Sequence, residues 1–389
     1  SNVAVGANAL DANTTAHNNT AVGYNALTAN TTGAQNVAVG RQALVSNTTA
    51  SYNIAVGYYA LEDNVTGASN IAVGSFALEG NTASNNTAVG DQAMRVNTTG
   101  GNNTAVGKDA LDANTTASNN TAVGYQAMTT NTIGNSNTAL GYTALRDNTT
   151  ASDNTAIGYL TLQSNSTGSN NTALGAGALA DNTTASYNTA LGRSALRVCT
   201  EGHSNVAVGS YALDALTDAD ENVAVGRNAL GALTTGSYNT ALGYEALKTV
   251  TTGQQLVAVG RLALGLNTTG SQNTACGYQA SYNNTTGGSN TAMGYAALYS
   301  VTTGDNNTGF GRDTLYFTTT GTDNTAIGNE ALENNTASNN TAVGSHTMTA
   351  NTSGSGNTAV GKGALPANTT GNDNVAIGKD AMQDSTTGD

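Results

Sequence analysis

A short motif, Asn-(Thr/Val/Ile)-Ala-(Val/Ile/Leu)-Gly, recurs along the whole chain and constrains its fold more than any other feature. Copies begin at Asn2, Asn19, Asn36, Asn53 and Asn70, resume at Asn86, Asn103 and Asn120, and run to the copy at Asn374. The 389 residues hold 23 copies, spaced by 17 residues in twenty intervals and by 16 in two. Both short copies, at Asn70 and Asn324, shrink the same Asn-Thr-Thr turn, to Asn81-Thr82 and Asn335-Thr336. Self-similarity at a fixed period is the signature of a solenoid, in which each coil touches only its neighbours. The expected fold is therefore all-β: a repetitive parallel β-roll or β-solenoid of 23 coils of about 17 residues, in one uninterrupted array over residues 1–389.

Numbering the columns one to seventeen from the Asn, substitutions between copies show what each position tolerates. Column two is Thr, Val or Ile, and column four is Val, Ile or Leu, with Met293, Cys276 and Phe310 once each. Residues two apart on a strand share a face, so both are expected to point into the core. Column nine is Leu or Met in every copy but Ser281, and is also expected to be core. Column twelve is usually Asn but becomes Cys199, Leu216, Leu233, Val250 and Val301. A position accepting that set is at least half inside, and its Asn residues are expected to form an amide ladder from coil to coil.

Column three is Ala in all copies but one, Gly309. With columns two and four inside, it would face outward, where only close approach of a second backbone explains so small a residue. Ala21, Ala38, Ala55, Ala72, Ala88, Ala105 and Ala122 are therefore candidates for a chain-to-chain interface, set against a tight coil that prefers Ala for its own reasons. Columns six to eleven, as in Tyr24-Asn25-Ala26-Leu27-Thr28-Ala29, do not alternate as a half-exposed strand should. A second short, kinked strand is expected there, because helical turns would not stack at the strand spacing of about 4.8 Å. Columns twelve to fifteen form the closing turn; free exchange of Gly33 for Ala50 argues against an obligatory left-handed backbone in it.

Charge follows the same grid. Only 37 residues are charged, 12 basic and 25 acidic, for a net charge of −13 that disfavours nucleic acid as a partner. All 12 basic residues fall in columns six and ten, which places those columns at the surface. Column six holds Arg41, Arg193, Arg227, Arg261 and Arg312 together with Tyr24, Tyr58, Tyr125, Tyr142, Tyr159, Tyr244, Tyr278 and Tyr295. Aromatic and guanidinium groups in one exposed stripe suit cell-surface carbohydrate; a ladder of Tyr rings stacked between coils is the plainer alternative.

Catalytic constellations fail on inventory, and no enzyme activity or cofactor is expected. The three histidines are His17, His203 and His346, the nearest two 143 residues apart, too many coils to share a metal or a triad. Cys199 and Cys276 lie five coils apart, about 24 Å, beyond the reach of a disulfide; Cys276 reads as a small apolar core residue. Asp214, Asp218, Asp220 and Glu221 form the one local acidic cluster, read as a solvated turn rather than a cation site. No run of about 18 apolar residues is present, so membrane insertion is not expected.

The strand motif and the Gly-x-x-Ala that follows it resemble the head repeats of YadA-like trimeric autotransporter adhesins. Asn53-Ile54-Ala55-Val56-Gly57 and Asn374-Val375-Ala376-Ile377-Gly378 match those strands in character. The longer form, with Ala-Leu and then Asn-Thr-Thr-Gly, is similar to arrays in phage tail-fibre and related bacterial surface proteins. The resemblance covers the whole chain. It implies a left-handed β-roll assembled as a homotrimeric rod, acting as a stalk or adhesive head outside the cell, on a virion or bacterial surface. The coil here is longer by its inserted turn, and neither coiled-coil stalk nor anchor nor chaperone domain is read in the sequence. Two other roles are weighed: a self-assembling extracellular filament stacked through open coil edges, and an ice-binding solenoid. Against the last stands column two, whose Thr exchanges with Val and Ile as a core residue would.

Overall fold

The computed structural model describes residues 1–388 and contains only three-residue β-strands joined by turns and bends. It divides into two compact units, Ser1–Ser194 and Ala195–Asp389, each a parallel β-solenoid. The first carries strands β1 (Val3–Val5) to β12 (Thr189–Leu191), and the second β13 (Val206–Val208) to β23 (Val375–Ile377), one strand per coil. Each strand is columns two to four of the motif. Within a unit, strands pair in parallel with the repeat in register, as Thr121, Ala122 and Val123 against Thr138, Ala139 and Leu140. The two short coils keep that register: Ile71 sits opposite Thr87, and Thr325 opposite Thr341. The closing turn absorbs the missing residue.

The strand period is as expected, but its faces are reversed. Column three points inward and is buried from Ala21 to Ala376, whereas columns two and four point outward and are half-buried or exposed. Val and Thr favour strands for their backbone fit as much as for burial, so their presence does not identify the inner face. The size of column three does. Behind the strand lies only the column-eight Ala and the column-nine Leu or Met, both completely buried, as Ala26 and Leu27. A Cβ on Gly309 would run into Leu298 Cδ1 and Thr314 Oγ1, so the coil is thin enough to hold one layer of large side chains. Leu and Met at column nine fill that layer; even Ser281 is buried.

Asn residues close the interior at both ends of the strand. At column twelve the expected ladder forms: Asn47 Nδ2 donates to Asn30 Oδ1 at 2.9 Å and to Ala50 O at 3.1 Å. Column one, on the same face of the strand as column three, makes a second ladder. Asn36 N donates to Asn19 Oδ1 of the coil before, and Asn36 Nδ2 to Ala50 O of its own coil, both at 2.9 Å. These buried amides leave few donors or acceptors unpaired, as an interior of this polarity requires.

Columns six to eleven form stacked turns rather than the expected second strand. Alternate residues here take a left-handed backbone, as at Asn25 (φ 56°) and Leu27 (φ 53°), yet coil-to-coil bonds persist, with Leu27 N donating to Ala43 O at 2.9 Å. A left-handed φ is costly for β-branched residues. This fits a column nine that is Leu or Met, with Ser281 the one departure, and never Val or Ile. Column seventeen, as Gln35 (φ 60°), repeats the pattern. At column five the chain has Gly in all copies: Gly57 has φ 147°, and a Cβ there would strike the carbonyl of Gly74 in the next coil. The closing turn needs no left-handed residue at column fifteen, in keeping with the Gly33-to-Ala50 exchange. It is tied instead by Thr hydroxyls, Thr31 Oγ1 donating to Thr48 O at 3.1 Å.

Candidate functional site

With the interior filled by Ala, Leu and Asn, recognition chemistry is left to the outward columns. Column six carries the expected exposed stripe: Tyr24, Tyr58, Tyr125, Tyr142, Tyr159, Tyr244, Tyr278 and Tyr295 are all exposed, as are Arg41, Arg193, Arg227, Arg261 and Arg312. The coil spacing brings successive members into contact. In the first unit Tyr125, Tyr142 and Tyr159 stack with centroids 5.4 Å apart, and the Arg41 guanidinium lies 5.9 Å from the Tyr24 ring and 5.7 Å from Tyr58.

In the second unit the ladder spans six consecutive coils. Arg227 lies against Tyr244 at 5.9 Å, and Arg261 sits between Tyr244 and Tyr278 at 5.7 and 5.5 Å. Tyr278 stacks on Tyr295 at 5.3 Å, and Arg312 follows at 6.0 Å. Because the rings stack along the ladder, each spends its faces on its neighbours and presents edges and hydroxyl groups to solvent. These contacts are of the cation–π and offset-stacked kinds, worth about 0.5–1.5 kcal/mol each at exposed sites.

Column ten is less open than column six and holds charges that pair between coils. Arg95 Nε lies 3.1 Å from Asp112 Oδ1, and burial raises the Asp112 carboxyl above the ordinary range despite that guanidinium. Glu62 and Glu79, in the same column, are raised first by burial; acidic neighbours add to this, while Arg95 opposes it at Glu79. Column ten also holds a second aromatic ladder that sequence reasoning did not single out: Tyr282 on Tyr299 at 5.6 Å, and Tyr299 on Tyr316 at 5.0 Å. Three Tyr at 17-residue spacing in one column was the signal for it.

The third outward feature is the strand face itself. Column four forms an apolar stripe along each unit, with Leu140, Leu174 and Leu191 exposed in the first and Leu242, Met293, Phe310 and Ile327 in the second; column two beside it is mostly Thr, with Ile54 and Ile71 exposed among its apolar members. Leu140 keeps 45% of its surface open. Cys276 belongs to this stripe and is half-buried, not a core residue as expected. The candidate interface through column three is corrected in the same stroke: Ala21, Ala38, Ala55, Ala72, Ala88, Ala105 and Ala122 are buried inside their own coil and leave no surface for a second chain to touch. Their size answers to the Leu layer behind them.

The remaining reactive groups are dispersed. His17 and His203 are exposed, and His346 Nδ1 lies 3.0 Å from Glu330 Oε2. The Cys199 thiol replaces a column-twelve amide, directs Sγ at Gly202 O at 3.3 Å, and is pushed up to about 12 by burial. Among the described residues, no three His, Cys, Asp or Glu side chains converge to hold a metal ion, the Asp214–Glu221 cluster included, and no helix is long and apolar enough to cross a membrane. Compared with known proteins, the sequence matches no family model and no curated protein.

Proposed function

We propose that this chain is a non-enzymatic structural fibre, the shaft or head of a phage tail fibre or bacterial surface adhesin, working outside the cell. The observation that carries the reading is the outward apolar stripe of column four. Monomeric proteins rarely leave a continuous apolar ladder open to water. Its occupant is best a further copy of the chain, because ridges repeating at the coil spacing fit only a surface with that spacing. The homotrimer thus assembles through the outward strand face, with the Tyr/Arg column left at the surface for attachment to cell-surface carbohydrate through ring edges and guanidinium groups. Sedimentation over a wide concentration range tests it. Discrete trimers are expected, and placing Lys at Leu140 and Leu174 dissociates them; growing polymers point to the end-stacked filament, and a monomer at every concentration removes both.

An ice-binding role is the second reading, and the reversed strand face favours it. Column two is outward, and it is Thr in seven successive coils from Thr87 to Thr189 and in six from Thr274 to Thr358. Thr in register on a flat parallel sheet offers hydroxyls and methyls at a regular spacing. The bulky Leu and Ile of column four, beside that Thr, serve packing better than a lattice. Thermal hysteresis measured on the concentrated protein decides: none is expected.

A further inference from the structure

In the second unit the two Tyr ladders run side by side, with column seven as the floor between them. That floor is Gln279 in one coil and Asp313 two coils on, but Ala296 in the coil between, whose methyl cannot fill the same space. A cleft of ≈ 290 Å³ opens there, with Tyr295 on one side, Tyr299 and Tyr316 on the other, and the carboxyls of Asp313 and Glu333 at its end. Ligand pockets start at about this size, with a few convergent polar groups among apolar walls.

The polar groups in it are acceptors. One Asp313 oxygen takes the Arg312 Nε hydrogen bond at 2.8 Å, which leaves its second oxygen for another donor. Neighbouring Glu330 is paired with His346, whereas Glu333 is held above the ordinary carboxyl range first by burial and then by the charges of Glu330 and Asp313, with His346 and Arg312 opposing them. The Tyr316 phenol is raised likewise, by burial and then by Tyr299 and Asp313. The cleft thus gathers the carboxyls of Asp313 and Glu333 and the Tyr316 hydroxyl, with the Arg312 guanidinium held by one Asp313 oxygen. Its ring faces are occupied: Tyr295 stacks on Tyr278 and Tyr299 on Tyr316.

We propose that this cleft binds a primary ammonium group on an alkyl chain, the chemistry of a lysine side chain or an alkylamine. The ammonium has three donors and no acceptor, which the Asp313 and Glu333 carboxylates and the Tyr316 hydroxyl satisfy. The alkyl stem lies over the Ala296 methyl between the edges of Tyr295 and Tyr299. A metal ion fits less well, since the described residues bring no three ligating side chains together here. This site belongs to one chain and stands independently of the assembly proposed above.

The test is an NMR titration of the full chain, its tyrosines isotopically labelled, with n-butylammonium. A saturable shift confined to a few tyrosines is expected, with none from 1-butanol or butyrate. Asp313→Asn with Glu333→Gln weakens it at least ~10-fold, as loss of hydrogen bonds to a charge should. Ala296→Gln abolishes it by filling the floor; Gln42, Gln92, Gln126 and Gln279 already occupy column seven at the same left-handed φ, so this variant keeps the fold. No saturable shift, or undiminished binding in the Ala296→Gln chain, overturns the proposal.

Discussion

Column twelve is built in two ways: the first solenoid unit uses one throughout, and the second mixes both. From Asn30 to Asn182 the first unit uses an unbroken run of Asn, each fully buried. The second unit opens with Cys199, Leu216, Leu233 and Val250 in the same place, equally buried. Both fill the coil, but they differ in what each residue asks of its neighbours. An Asn oxygen is usually satisfied by an amide of the next coil, as Asn148 Nδ2 does for Asn131 Oδ1 at 2.7 Å, though Asn368 accepts from Gly371 N at 3.1 Å instead. A Leu asks only for contact. The polar version is therefore a property of a run, and its cost falls at the ends. The unpaired buried amide atoms of this column lie where runs stop: Asn182 Oδ1, both amide atoms of Asn267, and Asn284 Oδ1, the last two residues forming a two-coil run between Val250 and Val301.

Exchanging residues between the two versions breaks the comparison most severely in the apolar run. Leu233→Asn places a lone amide between Leu216 and Val250; its Nδ2 can reach Gly236 O, but its Oδ1 meets no amide in the next coil. Lost burial and an orphaned acceptor together cost about 3–4 kcal/mol, read as faster amide hydrogen exchange in the adjoining coils. The reverse change, Asn114→Leu, removes the 2.7 Å bond to Asn97 Oδ1 and strands that oxygen. Asn131 Nδ2 keeps its second acceptor, Gly134 O at 3.0 Å, so the cost is smaller, about 2 kcal/mol.

A gain is expected at the defective run. Asn267→Leu replaces an amide with both atoms unpaired by the side chain used at Leu216 and Leu233, and should stabilise its neighbourhood by about 1–2 kcal/mol. A loss there would mean that the amide is paired after all. The smallest effect concerns reactivity. Cys199 and Cys276 differ in burial, so an alkylating reagent at pH 8 should modify Cys276 and leave Cys199 untouched until the coil opens. Because the folded Cys199 pKa is raised from 9.0 to about 12, the unfolded thiol ionises first as pH rises. Its contribution to stability is full below pH 9 and declines between 9 and 12; a Cys199→Ser chain should lack that decline.

Much of the coil is legible in the sequence. The period, the strand, the column-nine core, the buried column twelve and the exposed column six all follow from what each column excludes. The strand face was not legible from apolarity, because Thr, Val and Ile serve an outward strand as well as an inward one. The better guide was Ala at column three, which has no strand preference to explain it and so reports a lack of space. The left-handed positions left a trace as well, in the absence of Val and Ile from column nine. What no single column could show is the cleft beside Ala296, since it arises from residues of three columns meeting across coils.

The short coils carry a consequence for how such a chain changes over time. Asn86 N still bonds Asn70 Oδ1 at 2.9 Å across a spacing of 16, the same bond that 17-residue coils make. Register is held by the strand and its Asn residues, so the closing turn is where insertions and deletions go unpunished. Beyond that, within a run of like coils every upper edge matches every lower edge. Slippage that duplicates or drops a whole coil during replication then alters reach while leaving each remaining contact unchanged, whereas a slip of a few residues inside columns one to nine would turn the buried Leu outward and lose the coil.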